Sequence, residues 1–321
     1  MAHKVLLLDG DGFVYRAGFA AERTFYDVYN LDWGDSAPPV ASFQYKKECD
    51  TWIGSQKTKD RYSIDKRKEI QPEVNALSNA KTIMKGILGA FKGCDYVGYL
   101  SGKDNFREKV ATIKVYKGHR INVPKPVHYK AIREYFIKHW DFFVVNGEEA
   151  DDAVAIAQYN DFKKYPLLEQ ESAATVLVTQ DKDLDMVPGW HYDWVKKNRF
   201  FVDPLTGIRS FYKQLLKGDG TDNIPGLFYI TGSKCSKKYL DTIDKLEVEE
   251  EMYSYVREIY VESLKPELSY IRPTYTEIDK ILEETGQLLW MRRENNEYWK
   301  APVSTTPATG GVIDPSDITC V

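Results

Sequence analysis

The sequence predicts an α/β fold with a mostly parallel central sheet flanked by helices. Short apolar runs of strand character recur through the first two-thirds of the chain: "KVLLLD", "DYVGYL", "DFFVV" and "ATVLVT". Segments of helical periodicity separate them, and strands alternating with helices imply parallel pairing. Acidic residues collect just after these strands, at the rim where open α/β sheets bind ligands.

The first strand, "KVLLLD", is closed by a glycine-rich turn, and a helix is expected from about Gly12. Residues 30 to 72 read as polar and mixed, with "DSAPP" as a clear break. "PEVNALSNAKTIMKGILGAF" has helical spacing, and Pro72 suits a first turn. "DYVGYL" is the second strand, "HYKAIREYFIKHW" a helix and "DFFVV" the third strand. "EADDAVAIAQY" opens a helix whose acidic first turn favours the helix dipole. "ATVLVT" is the fourth strand and runs into "QDKDLDM"; "GWHYDWV" and "RFFVD" suit an edge hairpin. After about residue 203 helical patterns dominate. The expected organisation is an α/β core over 1–203 with a basic arch at about 103–127, a helical region over 204–295, and a Pro-, Gly-, Ser- and Thr-rich flexible tail over 296–321.

With 321 residues the chain can bury a sizeable core. Its net charge of −4 means that any nucleic-acid binding must come from local patches. Cys49, Cys94, Cys235 and Cys320 are far apart, so neither a zinc pair nor a secreted disulfide framework is expected. No apolar run is long enough for a signal peptide or a bilayer span, which points to a cytoplasmic protein with no membrane partner.

Asp9 closes the first strand, Glu148, Glu149, Asp151 and Asp152 follow the third, and Asp181, Asp183 and Asp185 follow the fourth. Crowded carboxylates repel one another and raise one another's pKa, and a cation removes that penalty. Oxygen donors favour Mg²⁺ or Mn²⁺, and two such ions about 4 Å apart can stabilise attacking and leaving oxygens in phosphodiester cleavage. Each piece also has a plainer reading: "EADD" as a helix first turn, "DKDLD" as a solvated turn, Asp11 as a cap. Their coincidence at successive strand ends favours the shared site.

"KGDGTDNIPGL" adds Asp219 and Asp222 among glycines, and Lys234, Lys237 and Lys238 follow. Backbone amides of Gly-rich turns, with lysines beside them, can bind phosphate. Between residues 103 and 138 stand Lys103, Arg107, Lys109, Lys114, Lys117, Arg120, Lys125, Lys130, Arg133 and Lys138, against only Asp104, Glu108 and Glu134. "KVYKGHR" interleaves Tyr116 with these cations, a pattern that suits phosphate contact and base stacking. A solvated helix face is the bland alternative.

With these residues assembled, the chain resembles the 5′ nuclease family of flap endonucleases and 5′-to-3′ exonucleases, and it looks closest to the short phage-encoded type. The matching stretches run in family order over about residues 4 to 295: "LLLDGDGFVYR", "NFREKVATIKVYKGHR", "VNGEEADDAVAIA", "VTQDKDLDMV" and "GDGTDNIPG". The resemblance implies two or more Mg²⁺ or Mn²⁺ ions held by Asp9, Glu149, Asp151, Asp152, Asp181, Asp183, Asp219 and Asp222, with Asp11 a further candidate. It implies Lys117, Arg120 and Arg16 as catalytic cations. It implies nucleic-acid contacts from Arg107, Lys114, Tyr116, Lys117, Arg120, Gly226, Gly232, Lys234 and Lys237, within a helical arch and a helix–three-turn–helix-like motif. The expected partners are DNA 5′ ends, flaps and duplexes, and RNA–DNA hybrids, met by a monomer in the host cytoplasm if the protein is phage-encoded. Two stretches depart from the family pattern. "LSGKDNFR" has Ser101 and Gly102 where relatives carry an acid, with Asp104 following late. "GLFYITGSK" lacks evenly spaced glycines. Two other readings compete. "DGDG" fits a haloacid dehalogenase-type phosphatase with Asp9 as nucleophile, although Phe13 stands where Thr or Val is preferred. A non-catalytic nucleic-acid-binding module is disfavoured, because clustered acids repel phosphate.

Overall fold

Leu6, Leu7 and Leu8 are almost wholly buried, which only a central strand covered on both faces allows. They belong to β1 (Val5–Asp9) in a computed structural model that describes residues 5–34, 36–164, 174–265 and 267–302. The expected tail lies outside the described residues from 303 onward. The chain divides into two compact units. The first comprises Met1–Phe106, His119–Val202 and Met291–Asn295; the second comprises Arg107–Gly118, Asp203–Trp290 and Asn296–Val321.

In the first unit β1 leads into α1 (Gly10–Ala20), which starts at the turn itself rather than at Gly12. An inserted layer follows: β2 (Glu22–Asn30), β3 (Ala41–Phe43), α2 (Lys46–Ser55) and β4 (Tyr62–Ile70). The chain continues through α3 (Glu73–Ala90) and β5 (Asp95–Ser101). One turn of helix, α4 (Arg107–Val110), belongs to the second unit. The first unit resumes with α5 (Tyr129–Trp140), β6 (Phe143–Val145), α6 (Ala150–Phe162), β7 (Thr175–Thr179), β8 (Gly189–Asp193) and β9 (Asn198–Val202). The main sheet has the order β6-β5-β1-β7-β8-β9, parallel except for the β8–β9 hairpin.

Alternation along the strands splits the core between two faces. Leu6, Leu8, Val176 and Val178 join Phe13, Val14 and Ala17 of α1, Ala76, Ala80 and Met84 of α3, and Ile132 and Phe136 of α5. Leu7 and Leu177 point to the other face, where α6 packs on β1, β5 and β7. The helix α6 is accordingly buried along Ala153, Val154, Ala155 and Ile156.

The inserted layer corrects the reading of residues 30 to 72 as polar and mixed. Strands β3, β2 and β4 form a separate antiparallel sheet, and β4 pairs with β2 along all nine residues from Tyr62 to Ile70. Eight of those residues are exposed, so the strand carries no apolar alternation to reveal it. Asp27 and Val28 are the buried residues of β2, and Asp27 is the charged one. It accepts hydrogen bonds from Arg67 Nε at 2.7 Å and from the Ser42 hydroxyl, one from each flanking strand, and the Arg67 bond holds its carboxyl below the usual range.

The second unit is helical: α7 (Pro204–Lys217), α8 (Leu227–Thr231), α9 (Lys237–Ile243), α10 (Glu249–Glu262) and α11 (Ile278–Leu289). Phe211 of α7 packs between Trp290, with ring centres 4.9 Å apart, and Trp299 at 5.3 Å. Trp299 stands inside the stretch expected as flexible tail, yet it is buried. The stretch expected as a helical arch holds only α4 and one 3₁₀ turn at residues 118–120 among its described elements. Pro124 and Pro126 lack the amide hydrogen a helix needs and disfavour helical geometry at the residues before them. No described helix is long and apolar enough to cross a membrane.

His191 of β8 is buried, with Nε2 2.8 Å from the Val187 carbonyl and its ring stacked on Phe200. Burial pushes its pKa down to about 4. Above the unfolded value of about 6.5, both states are neutral and nothing is lost. As pH falls below that value the unfolded chain takes the proton first, so stability drops until the pH reaches the folded value. Thermal unfolding followed from pH 7 to pH 4 is expected to show a loss of about 1 kcal/mol per pH unit in the native protein that His191→Gln lacks. Parallel curves for the two proteins would refute the assignment.

Candidate active site

Strand β1 lies between β5 and β7 and is parallel to both, so the carboxyl ends of the three strands share one rim. The chain passes to β5 on one side and later returns to β7 on the other. This is a topological switch point, where such sheets open a crevice. Asp9 ends β1 at 5% exposure. Its Oδ2 accepts the Thr179 hydroxyl at 2.9 Å. The same Thr179 oxygen accepts the amide of Asp181 at 3.0 Å, so one hydroxyl ties the end of β1 to the loop after β7. Asp9 Oδ1 is buried with no hydrogen-bond partner. Burial is the main cause raising the Asp9 pKa, and the charges of Asp11 and Asp181 add to it against the Thr179 bond.

Asp11 is not a cap. Its Oδ2 accepts the Ser101 amide at 3.2 Å, and its Oδ1 lies 3.2 Å from an Arg133 nitrogen. The other terminal nitrogen of Arg133 donates to the Ser101 carbonyl at 2.7 Å, and Ser101 Oγ accepts the Ala150 amide at 2.8 Å. Burial raises the Asp11 pKa and the Glu149 charge adds to that, while Ser101 and Arg133 pull it back. Gly102, one residue on, has no room for any side chain: a Cβ there would stand 2.2 Å from Asn146 Oδ1 and 2.3 Å from the Val145 carbonyl.

Asp9, Asp11, Asp181 and Glu149 thus form one electrostatic neighbourhood. Other acids have different work. Glu149 and Asp152 close a capping box at the start of α6. Asp152 is fully buried; it accepts the Glu149 amide at 3.2 Å on Oδ2 and the Arg292 amide at 3.2 Å on Oδ1. Asp152, expected as a metal ligand, has each carboxylate oxygen engaged by a backbone amide. Glu148 pairs with Arg292 at 3.4 Å, and that guanidinium lies over the Phe106 ring at 3.5 Å. Asp151 is half-buried in the first turn of α6. Asp183 donates its amide to Asp181 Oδ1 at 3.0 Å. Asp185 is pushed up to about 6, chiefly by burial, with Asp181 and Asp193 adding and Lys196 opposing.

The remaining candidates divide between the units. Arg16 is exposed on α1, with its guanidinium 5.5 Å from the Trp194 ring centre. Arg120 is exposed in the first unit. Asp219, Asp222, Lys114, Tyr116, Lys117, Gly226, Gly232, Lys234 and Lys237 belong to the second. There Asp222 Oδ2 accepts the Tyr116 hydroxyl at 2.7 Å and lies 3.4 Å from Lys117 Nζ. Asp222 therefore has a counter-charge of its own. Asp219 accepts the Thr221 amide at 2.7 Å within a loop closed by its backbone pairing with Ile224. Two expected nucleic-acid contacts are corrected. Arg107 is 1% exposed and donates to the carbonyls of Leu288 at 2.8 Å and Trp290 at 2.9 Å, the negative end of the α11 dipole. Tyr116 is 8% exposed, with no open face to offer a base. Gly226 is buried as well: a Cβ there would stand 2.2 Å from the Lys217 backbone. Gly232 ends α8 in the left-handed conformation, and Lys234 and Lys237 are exposed.

Thr179, Ser101 and Arg133 were not among the candidates. Thr179 had a signal, as the last residue of "ATVLVT" two positions before Asp181. Arg133 had none beyond its charge.

The donor set fits a hard divalent cation. It is all carboxylate oxygen, one member has a buried oxygen without a partner, and the charges repel. A finished cage is not in place: among the described residues no three His, Cys, Asp or Glu side chains group closely enough to hold an ion.

No protein-family model and no curated protein matches the chain. Several solved structures do. The T5 D15 protein co-crystallised with metal ions is 15% identical, with 66% of this chain and 92% of that one covered and a TM-score of 0.35. A pseudo-enzyme–product complex of the bacteriophage T5 flap endonuclease with DNA and metal ions is 14% identical, with 66% and 90% covered at the same TM-score of 0.35. A mutant T5 5′-exonuclease is 12% identical, with 67% and 93% covered, again at 0.35. At that score the likeness carries no weight here, and the functional reading rests on the geometry of this chain.

A carboxylate whose folded pKa is raised opposes folding at any pH above its unfolded value, because the unfolded chain ionises it more readily than the folded one. In chelator at pH 8, Asp9→Asn is expected to raise stability by about 1–3 kcal/mol, read from the urea midpoint. A lowered midpoint would show that Asp9 is a stabilising strand-end group instead.

Proposed function

We propose that the protein is a metal-dependent nuclease that hydrolyses phosphodiester bonds of DNA from 5′ ends and at flaps, with RNA–DNA hybrids as further substrates. The observation that carries this reading is Asp9: buried at the end of the central strand, with Oδ1 unpartnered and two more carboxylates raising its pKa. Such a group is costly unless a cation arrives. Asp9, Asp11, Asp181 and Glu149 would hold Mg²⁺ or Mn²⁺, with Asp151 and Asp183 close in sequence; Asp219 and Asp222 remain candidates implied by the resemblance alone. Bound divalent ions supply charge neutralisation and a lowered pKa for bound water.

The chain's own residues do the rest. Thr179 fixes Asp9 and the Asp181 loop in register, and Arg133 holds Asp11 against the end of β5. Exposed Arg16 and Arg120, and Lys117 once released from Asp222, would contact the substrate phosphates and offset developing charge. A phage setting would place this activity in primer removal, DNA replication and recombination within the host cytoplasm.

Asp181→Asn is expected to abolish Mg²⁺-dependent release of label from 5′-labelled duplex and flap DNA, while binding in chelator stays within about twofold. Cleavage at the native rate would overturn the metal-site assignment. Comparing p-nitrophenyl phosphate with labelled DNA tests the phosphatase alternative, which predicts turnover of the small ester and none of the DNA. A second readout is independent of turnover: saturating Mn²⁺ should stabilise the native protein by about 2–3 kcal/mol at 100 times its Kd, and Asp9→Asn should lose that gain.

A further inference from the structure

We propose that the second unit carries a base-stacking platform for single-stranded nucleic acid, formed by Tyr229, Tyr270 and Phe228 with Lys114. This rests on the nuclease reading only in taking nucleic acid as the partner. The rings of Tyr229 and Tyr270 lie 4.9 Å apart and within 6° of parallel. The ammonium of Lys114 stands 4.7 Å from the centre of Tyr229. Phe228 meets Tyr270 edge-on at 6.0 Å. The outer members are open: Tyr270 is 64% exposed and Phe228 48%. Tyr270 is stacked on Tyr229 and crosses Phe228 at 67°, and at that exposure most of its ring surface is open to solvent.

The platform is built rather than loose. The Tyr270 amide donates to the Tyr229 carbonyl at 3.2 Å, the Ser269 hydroxyl to the Ile230 carbonyl at 2.6 Å, and the Lys265 amide to the Thr231 carbonyl at 3.0 Å. Ser269 Oγ in turn accepts the Arg272 amide at 2.9 Å. Leu268 sits on Gly232, where a Cβ would come within 2.5 Å. These bonds tie Lys265, Ser269 and Tyr270 to the end of α8 and hold Tyr270 against Tyr229.

Three features point to unpaired bases. A rigid, solvent-exposed ring accepts any base by its π surface. A lysine over the stack adds the cationic contribution that such sites use. Exposed Lys234, Lys237, Lys265 and Arg272 belong to the same segments, against Glu262 and Glu267, and supply charge for a backbone. Bases inside a duplex present edges, not faces, so duplex DNA gains nothing from the rings.

The test uses the full chain in chelator, with anisotropy of a labelled oligo-dT of about twenty nucleotides and of a blunt duplex of equal length. Phe228→Ala and Tyr270→Ala should each weaken oligo-dT binding by about 5- to 100-fold, whereas Tyr270→Phe keeps native affinity. Duplex affinity and the salt slope should stay unchanged, since no phosphate contact is removed. Native oligo-dT affinity in the doubly substituted protein overturns the proposal, as does an equal loss on duplex or an absence of oligo-dT binding in the native chain. Unfolding curves for the alanine variants separate loss of the rings from loss of the fold. Chelator keeps the test apart from catalysis: a chain that binds as expected but never cuts DNA sinks the nuclease reading and leaves the platform standing.

Discussion

An unpaired carboxylate oxygen in the interior is the constraint around which the first unit is arranged. Asp9 cannot swing away, because β1 is hydrogen-bonded on both edges and its three leucines are locked in two-sided packing. Its side-chain partner is Thr179, the Asp11 backbone adds a further favourable contact, and Oδ1 makes no hydrogen bond of normal geometry. An unsatisfied buried polar atom costs about 1–3 kcal/mol, and more when charged. The neighbouring strand ends add charge of the same sign. The one cation the described residues bring against Asp11, Arg133, is shared with the carbonyl of Ser101. The rim is therefore short of positive charge by construction.

The parallel sheet was legible because its central strands β1 and β7 are buried on both faces and so read as unbroken apolar runs. The strand-end acids were legible for the same reason, since a buried strand has a sharp end. The inserted antiparallel sheet was not. Strand β4 exposes Lys66, Arg67, Lys68 and Glu69 and is held by backbone pairing with β2, an interaction that leaves no trace in side-chain hydropathy. Partnering was equally hidden. Asp11 and Asp152 look alike in sequence, yet one is gripped by Ser101 and Arg133 and the other by two backbone amides. Sequence gives the sign of a charge; only the fold says what already neutralises it.

The basic segment shows the same limit from the other side. Counting cations marked Arg107, and the aromatic interleaving marked Tyr116, as surface contacts, but both are buried, Arg107 on carbonyls at the end of α11 and Tyr116 on Asp222. Two exposed rings of the second unit lie elsewhere, Phe228 in "GLFYITGSK" and Tyr270 in the segment before Pro273. In the former, aromatic residues stand where evenly spaced glycines were expected. What looked like an irregular turn is where the open aromatic surface arises.

The handling of charge differs from place to place, and the difference separates acids with matched partners from acids whose pKa is raised. In the second unit Asp222 is met by Lys117 and Tyr116, Asp279 by Nε and Nη2 of Arg257, and Arg107 by helix-end carbonyls. In the first unit's inserted layer Asp27 has Arg67 and Ser42, and its pKa is lowered. The same chain thus matches a buried carboxylate wherever the only demand is stability. At the ends of β1 and β7 it does not, and there the carboxyl pKa values of Asp9, Asp11 and Asp185 all rise. A net charge of −4 spread over 321 residues cannot force that local failure, because matched pairs are made elsewhere at no evident difficulty. The mismatch belongs to the rim itself, and a rim that repels its own members is one that a cation and a phosphate together can complete.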